Sequence, residues 1–303
     1  MRVVSVLPSA TEIVAALGRL PDLVGRSEEC DFPPEVRSLP VVMRARTRDS
    51  ERSSAEIDRR VQAARGTDAS LYEIDVAALR ELDPDVLLTQ DLCGVCSVTD
   101  REMAAACRSA GVSPTIVSVA PRALGEVWES IETIGHAIGA ESAAGSLAAD
   151  LRRRTVAPRT PPEARPRVAV VEWLDPPILA GLWTPDLVEA AGGAPVGPSR
   201  GEVGERTSWA RIRNADLDLL VISPCSFSVE RTRRELEDPS LVRQVRAACG
   251  AQGIVLADEA YFSRPGPRLA DGVELLRHAV HGSLGSLPMP AEYLLRGAAT
   301  EAT

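Results

Sequence analysis

In the segment TQDLCGVCSVTD, Cys93 and Cys96 stand three positions apart, a spacing at which one turn of chain offers two thiolates to a metal ion or closes a redox disulfide. Thr99 and Glu102 follow at once and spell the capping box of a helix start. Two further cysteines, Cys30 in GRSEECDFP and Cys225 in VISPCSFS, also come just after apolar runs that read as strands. In a parallel α/β fold such positions gather at the carboxyl ends of the strands, where ligands bind. Three readings of Cys30, Cys93, Cys96 and Cys225 stay open: a shared zinc or iron-sulfur site, a local redox pair, or inert thiols. The remaining cysteines, Cys107 and Cys249, read as small buried residues on helices.

Aromatic residues are the second chemical signal. The chain has four Trp, three Tyr and three Phe in 303 residues. Phe32, Trp173, Trp183, Trp209, Phe227, Tyr261 and Phe262 fall in loops or at strand exits, so rings this scarce are not spent mainly on the core. Collected rings suit a bulky, flat, partly apolar ligand, and the competing reading is that they staple loops down. In YFSRPGPRLADG, Pro265 and Pro267 stiffen a turn carrying Arg264 and Arg268. Those two arginines either meet a carboxylate or phosphate or lock the loop against Asp258, Glu259 or Asp271.

Enzyme constellations are sparse, and a binding protein is expected ahead of a catalyst. No phosphate-binding glycine loop or nucleophile elbow occurs. His278 and His281 stand three apart with no acidic partner in register, which reads as a solvated helix face. Glu172, Asp175, Asp258 and Glu259 lie at expected strand exits, where hydrogen bonding to a ligand is the commoner role.

The elements that must position these residues follow an alternating pattern of short β-branched runs and helical segments, which predicts an α/β fold with mostly parallel sheets. Strands are expected near 2–7, 22–26, 70–74, 85–90, 114–118, 167–173, 217–223 and 253–257. Ser9 and Glu12 predict a capping box at the first helix, and Thr184-Pro185 predicts another helix start. The Pro-free stretch 124–154 reads as one long helix, and the chain after Gly282 as loosely held. SATEIVAALG echoes TPDLVEAAGG, and LDPDVLLTQ echoes ADLDLLVIS. The organisation expected is two Rossmann-like lobes, 1–121 and 158–282, joined by a bridging helix at 122–157, with a ligand cleft between the lobes and a tail at 283–303.

A net charge of −9 argues against a nucleic-acid partner, and no apolar run is long enough to insert in a membrane. All 34 strong bases are Arg, with no Lys. The amino terminus runs directly into a strand pattern without a leader-like segment, so a cytoplasmic location with reduced thiols is expected.

Six segments in order, LPSATEIVAALG, VGRSEECDFPPEV, TQDLCGVCSV, EWLDPP with GLWTPDLVEAAGG, SPCSFSVERT, and YFSRPGPRLADG, resemble the vitamin B12-binding members of the class III periplasmic binding proteins, the substrate-binding family of ABC importers. The cysteine-bearing pattern resembles a cytosolic branch. The resemblance implies a cobalamin or related corrinoid, or another metal chelate, as small-molecule ligand. It implies Trp173, Trp183, Tyr261 and Phe262 as ring contacts, Arg264 and Arg268 as one wall, and Asp175 as a partner for corrinoid amides. Ser9, Phe32 and Phe227 complete the expected ligand set. Leu182 stands where relatives commonly carry His, and Ala257, Asp258 and Glu259 replace a DGN-like segment. Without a leader, docking to an ABC permease is not expected. The alternative is a metalloprotein or metalloenzyme that reuses this fold around the four cysteines.

Overall fold

The computed structural model describes residues 1–46, 52–65, 71–90, 98–159, 161, 164–249, 252–283 and 289–296. Two compact units are formed. The first takes in Met1–Arg52, Arg59–Pro121 and Gly125–Arg152, and the second takes in Ser53–Asp58, Arg122–Leu124 and Arg153–Thr303.

The first unit is built from β1 (Val3–Ser5), α1 (Pro8–Ala16), β2 (Leu23–Ser27), β3 (Val41–Ala45), the part of α2 (Ser54–Arg65) from Arg59 onward, β4 (Tyr72–Ile74), α3 (Val76–Leu82), β5 (Val86–Thr89), α4 (Asp100–Ala110) and β6 (Thr115–Ser118). Its sheet runs β4-β3-β2-β1-β5-β6, parallel except for β4 on β3. The chain moves outward from β1 through β2 to β3, then returns to the other side of β1 with β5. That reversal makes β1 and β5 the switch point, with Val3 opposite Val86 and Ser5 opposite Leu88. Buried Val4, Val42, Leu79, Leu87 and Met103 form the core beneath α3 and α4. Strand β3, which lies between β2 and β4, was not expected from the sequence, because VVMRARTR alternates weakly and ends in charge.

Two helix starts behave differently from one another. Thr99 accepts from the Glu102 backbone N–H at 3.2 Å while the Glu102 carboxylate accepts from the Thr99 N–H at 2.9 Å, so the expected box forms. At the first helix it does not. Leu7 occupies the cap position, Pro8 opens the helix, and Ser9 lies already inside the first turn.

The stretch read as one long helix is two. α5 (Leu124–Ala137) stops where Gly139 turns left-handed at φ +66°, and α6 (Glu141–Arg154) begins two residues on. The Ala140 N–H bonds Gly135 O at 2.7 Å and the Gly139 N–H bonds His136 O at 3.3 Å, which is the paired closure of a Schellman end. The absence of proline hid this stop; Gly139 was its signal. The helices fold back on each other, with Arg152 held on Glu132 at 2.9 Å. This pair depresses the Glu132 carboxyl, through the arginine hydrogen bond first.

The second unit contains β7 (Arg167–Leu174), β8 (Pro177–Leu179), α7 (Thr184–Ala190), β9 (Ala194–Pro195), β10 (Glu205–Arg206), α8 (Trp209–Arg213), β11 (Leu219–Ile222), α9 (Val229–Glu235), α10 (Pro239–Ala247), β12 (Gly253–Ala257), α11 (Leu269–Val280) and β13 (Ala291–Arg296). The sheet runs β10-β8-β7-β11-β12-β13, with β9 added beside β7. Strands β7, β11 and β12 are parallel, and β8, β10 and β13 run antiparallel along the flanks. Helix α7 starts at Thr184-Pro185 as the sequence predicts. Within the stretch expected to be loosely held, Ala291–Arg296 pairs antiparallel along β12, from Ala291 opposite Ala257 to Arg296 opposite Gly253. Its strand character was masked by the surrounding Gly- and Pro-containing chain.

The echo between the halves has a structural basis. In the first unit the Arg2 N–H donates to the Asp85 carboxylate at 2.7 Å, and in the second the Arg167 N–H donates to Asp218 at 2.7 Å. Asp83 and Asp216, two residues earlier, both take left-handed backbone, φ 36° and 52°. The same turn therefore delivers β5 beside β1 and β11 beside β7.

The tight crossing of α5 and α6 makes a paired test. A Cβ at Gly135 would come within 2.3 Å of the Ala144 Cβ, whereas Gly145 has nothing within 4 Å. Gly135→Ala is expected to destabilise by about 1–3 kcal/mol through overpacking, and Gly145→Ala to stabilise by about 0.5–1 kcal/mol through helix propensity. Urea unfolding of the two variants measures both signs.

Candidate functional site: the strand exits of the second unit

Four strand-end segments build one polar and aromatic surface in the second unit. The β7 end supplies Glu172 and Trp173, the β11 exit supplies Ser223 to Phe227, the β12 exit supplies Asp258 and Glu259, and the stiff turn after it supplies Tyr261 to Arg268. Backbone bonds stitch them together: Ser223 N–H to Val171 O at 2.9 Å, Cys225 N–H to Glu172 O at 3.0 Å, and Glu259 N–H to Phe227 O at 3.3 Å. The site is thus an extension of the sheet's own ladder, which fixes it more firmly than a free loop.

Trp173 lies edge-on to Phe227, with ring centroids 5.5 Å apart and planes at 60°. The Arg231 guanidinium sits 4.1 Å from the Phe227 centroid on the opposite part of the cluster. Trp173 is partly exposed, while its indole nitrogen is itself buried and has no hydrogen-bond partner among the described residues. A few residues away, Arg268 stands 5.5 Å over the Tyr261 ring. Arg264 pairs with Glu259 at 2.6 Å, with side chains only 12% and 10% exposed. The Cys225 thiol donates to Ser263 Oγ at 3.4 Å.

The expected contact residues therefore separate into two kinds. Trp173, Tyr261 and Arg268 are partly open. Trp183 and Phe262 are buried at 4% and 3%, and the Trp183 indole donates to Phe262 O at 2.7 Å. Phe227 is 1% exposed. These three rings brace the surface from beneath, which is the stapling reading of their position. Trp209 likewise donates to Leu174 O at 3.2 Å from inside the core. Asp175 is exposed at the β7–β8 turn, and Phe32, in the first unit, is 43% exposed. Of the two uses foreseen for the loop arginines, Arg264 shows the locking one, through Glu259. Sequence reasoning missed Arg231 and Ser263. Arg231 was legible as the fourth residue after Phe227, at the start of a helix capped by Ser228.

Close packing positions Tyr261. A Cβ on Gly272 would fall 2.1 Å from Tyr261 O, so only glycine lets α11 approach the turn this closely. Burial pushes the Tyr261 phenol above its ordinary range, outweighing the opposing pull of Arg268.

The cysteines are dispersed in role. Cys30 is fully buried in the first unit, 3.2 Å from Ser27 Oγ and donating to Ser5 O at 3.6 Å. Cys225 belongs to the second unit, and Cys93 and Cys96 lie outside the described residues. Cys107 is buried on α4 and Cys249 half-buried beyond α10; burial raises both thiols. Among the described residues no group of three or more His, Cys, Asp or Glu is gathered to hold a metal ion. Near the end of α11, His278 Nδ1 lies 3.1 Å from Ser283 Oγ, which accounts for that ring locally.

This architecture, parallel-rich α/β sheets flanked by helices in each of two units, is the fold of the periplasmic substrate-binding proteins. A periplasmic heme-binding protein from Pseudomonas aeruginosa aligns with a TM-score of 0.68 at 21% identity, covering 97% of this chain and 96% of its own. The periplasmic vitamin B12-binding protein of Vibrio cholerae aligns at 0.58 and 19%, covering 94% and 98%. An ABC-type Fe3+-hydroxamate transport protein from Saccharomonospora viridis aligns at 0.60 and 19%, covering 93% of each. No protein-family model matches the chain, and no curated protein matches it. No helix among the described residues is long and apolar enough to cross a membrane.

The Tyr261 environment has a measurable consequence. Its folded pKa is raised above the ordinary value near 10.0. The stability contributed is therefore complete below that value and is lost as pH rises through the folded one. Alkaline titration of phenolate absorbance should show a late-titrating tyrosine that is missing in Tyr261→Phe; an unchanged late step in the variant assigns it to Tyr72 or Tyr293.

Proposed function

We propose that this protein binds a flat metal tetrapyrrole, with cobalamin or a related corrinoid as the leading ligand and haem as the alternative. The observation that carries the reading is the exit surface of the second unit, above all the partly exposed Trp173 ring. A flat ligand face beside it would lie on aromatic carbon. Tyr261 and Arg268 extend the surface, and Glu259 holds Arg264 in place. The heme and vitamin B12 ligands named for proteins of like fold are of this shape and size.

In this reading the protein is a binding component of the ABC-transporter substrate-binding type that sequesters, delivers or senses its ligand, and its proposed location is the cytoplasm.

Titration with cobalamin and, separately, with haemin, followed by visible absorbance and calorimetry, tests the proposal. A spectral shift with saturable heat is expected for one of them. Trp173→Ala should weaken that binding by at least about tenfold, the loss expected of a central aromatic anchor. No change with either tetrapyrrole overturns the reading; full affinity in Trp173→Ala removes this surface from it.

A further inference from the structure

Helix α2 is held by polar contacts rather than by a buried apolar face. Among its described side chains only Ser54 is buried; Ala55, Ile57, Asp58 and Val61 are half-buried, and the others face solvent. A helix without a buried apolar stripe takes its position from whatever else binds it. Its start caps itself, with the Ser53 N–H donating to the Glu56 carboxylate at 2.9 Å and the Glu56 N–H donating to Ser53 Oγ at 3.3 Å. The first turn, Ser53–Asp58, belongs to the second unit. Two contacts dock it there. The Ser54 N–H and hydroxyl both donate to the Glu235 carboxylate, at 2.7 and 2.5 Å, and the Arg206 guanidinium forks onto Asp58 at 2.6 and 3.1 Å. A carboxylate at a helix start is favoured by the helix dipole, and a forked arginine–carboxylate pair is the strong geometry of its kind. Ser54 and Asp58 are four residues apart, so one face of one turn makes both contacts.

Each contact leads to one side of the Trp173–Phe227 pair. Arg206 on β10 stands opposite Ile178 on β8, and Ile178 stands opposite Trp173 on β7. Directly opposed residues share a face of the sheet, so Trp173, Ile178 and Arg206 form one cross-strand row. On the other side, Glu235 closes α9, four residues after Arg231 and on the same helix face. Arg231 is the residue whose guanidinium sits on the Phe227 ring. The α2 turn therefore joins the end of the row that carries Trp173 to the helix braced against Phe227.

We propose that the first turn of α2 is a clamp on the exit surface, with Ser54 and Asp58 as positioning residues that set Trp173 against Phe227 and so tune the affinity for a flat ligand. The effect on affinity rests on reading that surface as a ligand site; the positioning of the rings does not. The clamp is releasable, because no buried apolar face holds α2 once its polar contacts break. Salt weakens it, since the Arg206 and Asp58 side chains are 43% and 14% exposed.

Trp173 can be read on its own in the ligand-free protein. Trp128, Trp183 and Trp209 are 2%, 4% and 5% exposed, so acrylamide quenching of fluorescence reports on the partly open ring. Wild type, Asp58→Ala and Glu235→Ala are compared by this quenching and by hydrogen exchange of the α2 amides. Each variant should exchange about tenfold faster in α2, as expected for the loss of a charge-assisted contact, and should be quenched more strongly. In wild type, sodium chloride at about 1 M, where the screening length falls to about 3 Å, should raise the quenching too. In Asp58→Ala the same salt should add nothing. The wild-type salt response decides the matter where a variant fails to fold. Binding of haemin or cobalamin, whichever the protein takes, should weaken by about tenfold in Asp58→Ala. Faster α2 exchange with unchanged quenching makes the helix a mere tether and overturns the proposal, as does unchanged α2 exchange. Stronger quenching with unaltered tetrapyrrole affinity overturns the tuning of the ligand. If neither tetrapyrrole binds, quenching and exchange decide the clamp by themselves, and the failure belongs to the tetrapyrrole reading.

Discussion

The structure depends on one constraint imposed twice: an aspartate that turns the chain left-handed just before a second one ties down the start of the neighbouring strand. Asp83 and Asp85 do this for β5 beside β1, and Asp216 and Asp218 do it for β11 beside β7. Each tie sets the register of a parallel pair at its beginning, and a one-residue slip there would turn every side chain to the other face. Because register is fixed at the start, the exits are fixed too. Ser5, Ser9 and Thr89 collect at one pair of exits, and Trp173 and Cys225 at the other. The chemistry at the far end of each sheet is decided by two aspartates at the near end.

Much of this was legible before any coordinates. The echo of LDPDVLLTQ in ADLDLLVIS marks the two equivalent strands, since a parallel strand buried on both faces must be nearly continuous in apolar residues. Strand β12 shows the same and matches its expected bounds. What the pattern could not carry were elements held by their neighbours rather than by their own periodicity. Strand β3 is short and interrupted by Arg44, β9 and β10 are two residues each, and β13 lies beyond a Gly- and Ser-containing stretch. All owe their form to the strand next to them, and tertiary context of that sort leaves little local trace.

Helix ends show the same division. Thr99 and Ser9 stand in like motifs, each a hydroxyl residue with Glu three positions on. Only Thr99 caps, because it follows a residue free to be extended, whereas Ser9 follows Pro8, whose fixed φ already starts the helix. The proline thus moves the cap back to Leu7, a residue without a side-chain acceptor. A motif that reads as a satisfied cap is undone by a shift of two positions.

Aromatic placement was legible as a set but not ring by ring. Scarcity in the chain pointed to loops and strand exits, and most of the seven rings are there, whereas Trp209 opens α8 and packs in the core. Burial then divides them by a distinction sequence cannot express, since a ring that braces a site and a ring that faces a ligand occupy the same kind of loop. Trp183 and Trp173 show the difference through one proton. The first spends its indole N–H on Phe262 O, and the second leaves it bare. Natural proteins tolerate such unsatisfied groups where occupancy by a ligand recovers the cost, at the expense of the ligand-free state.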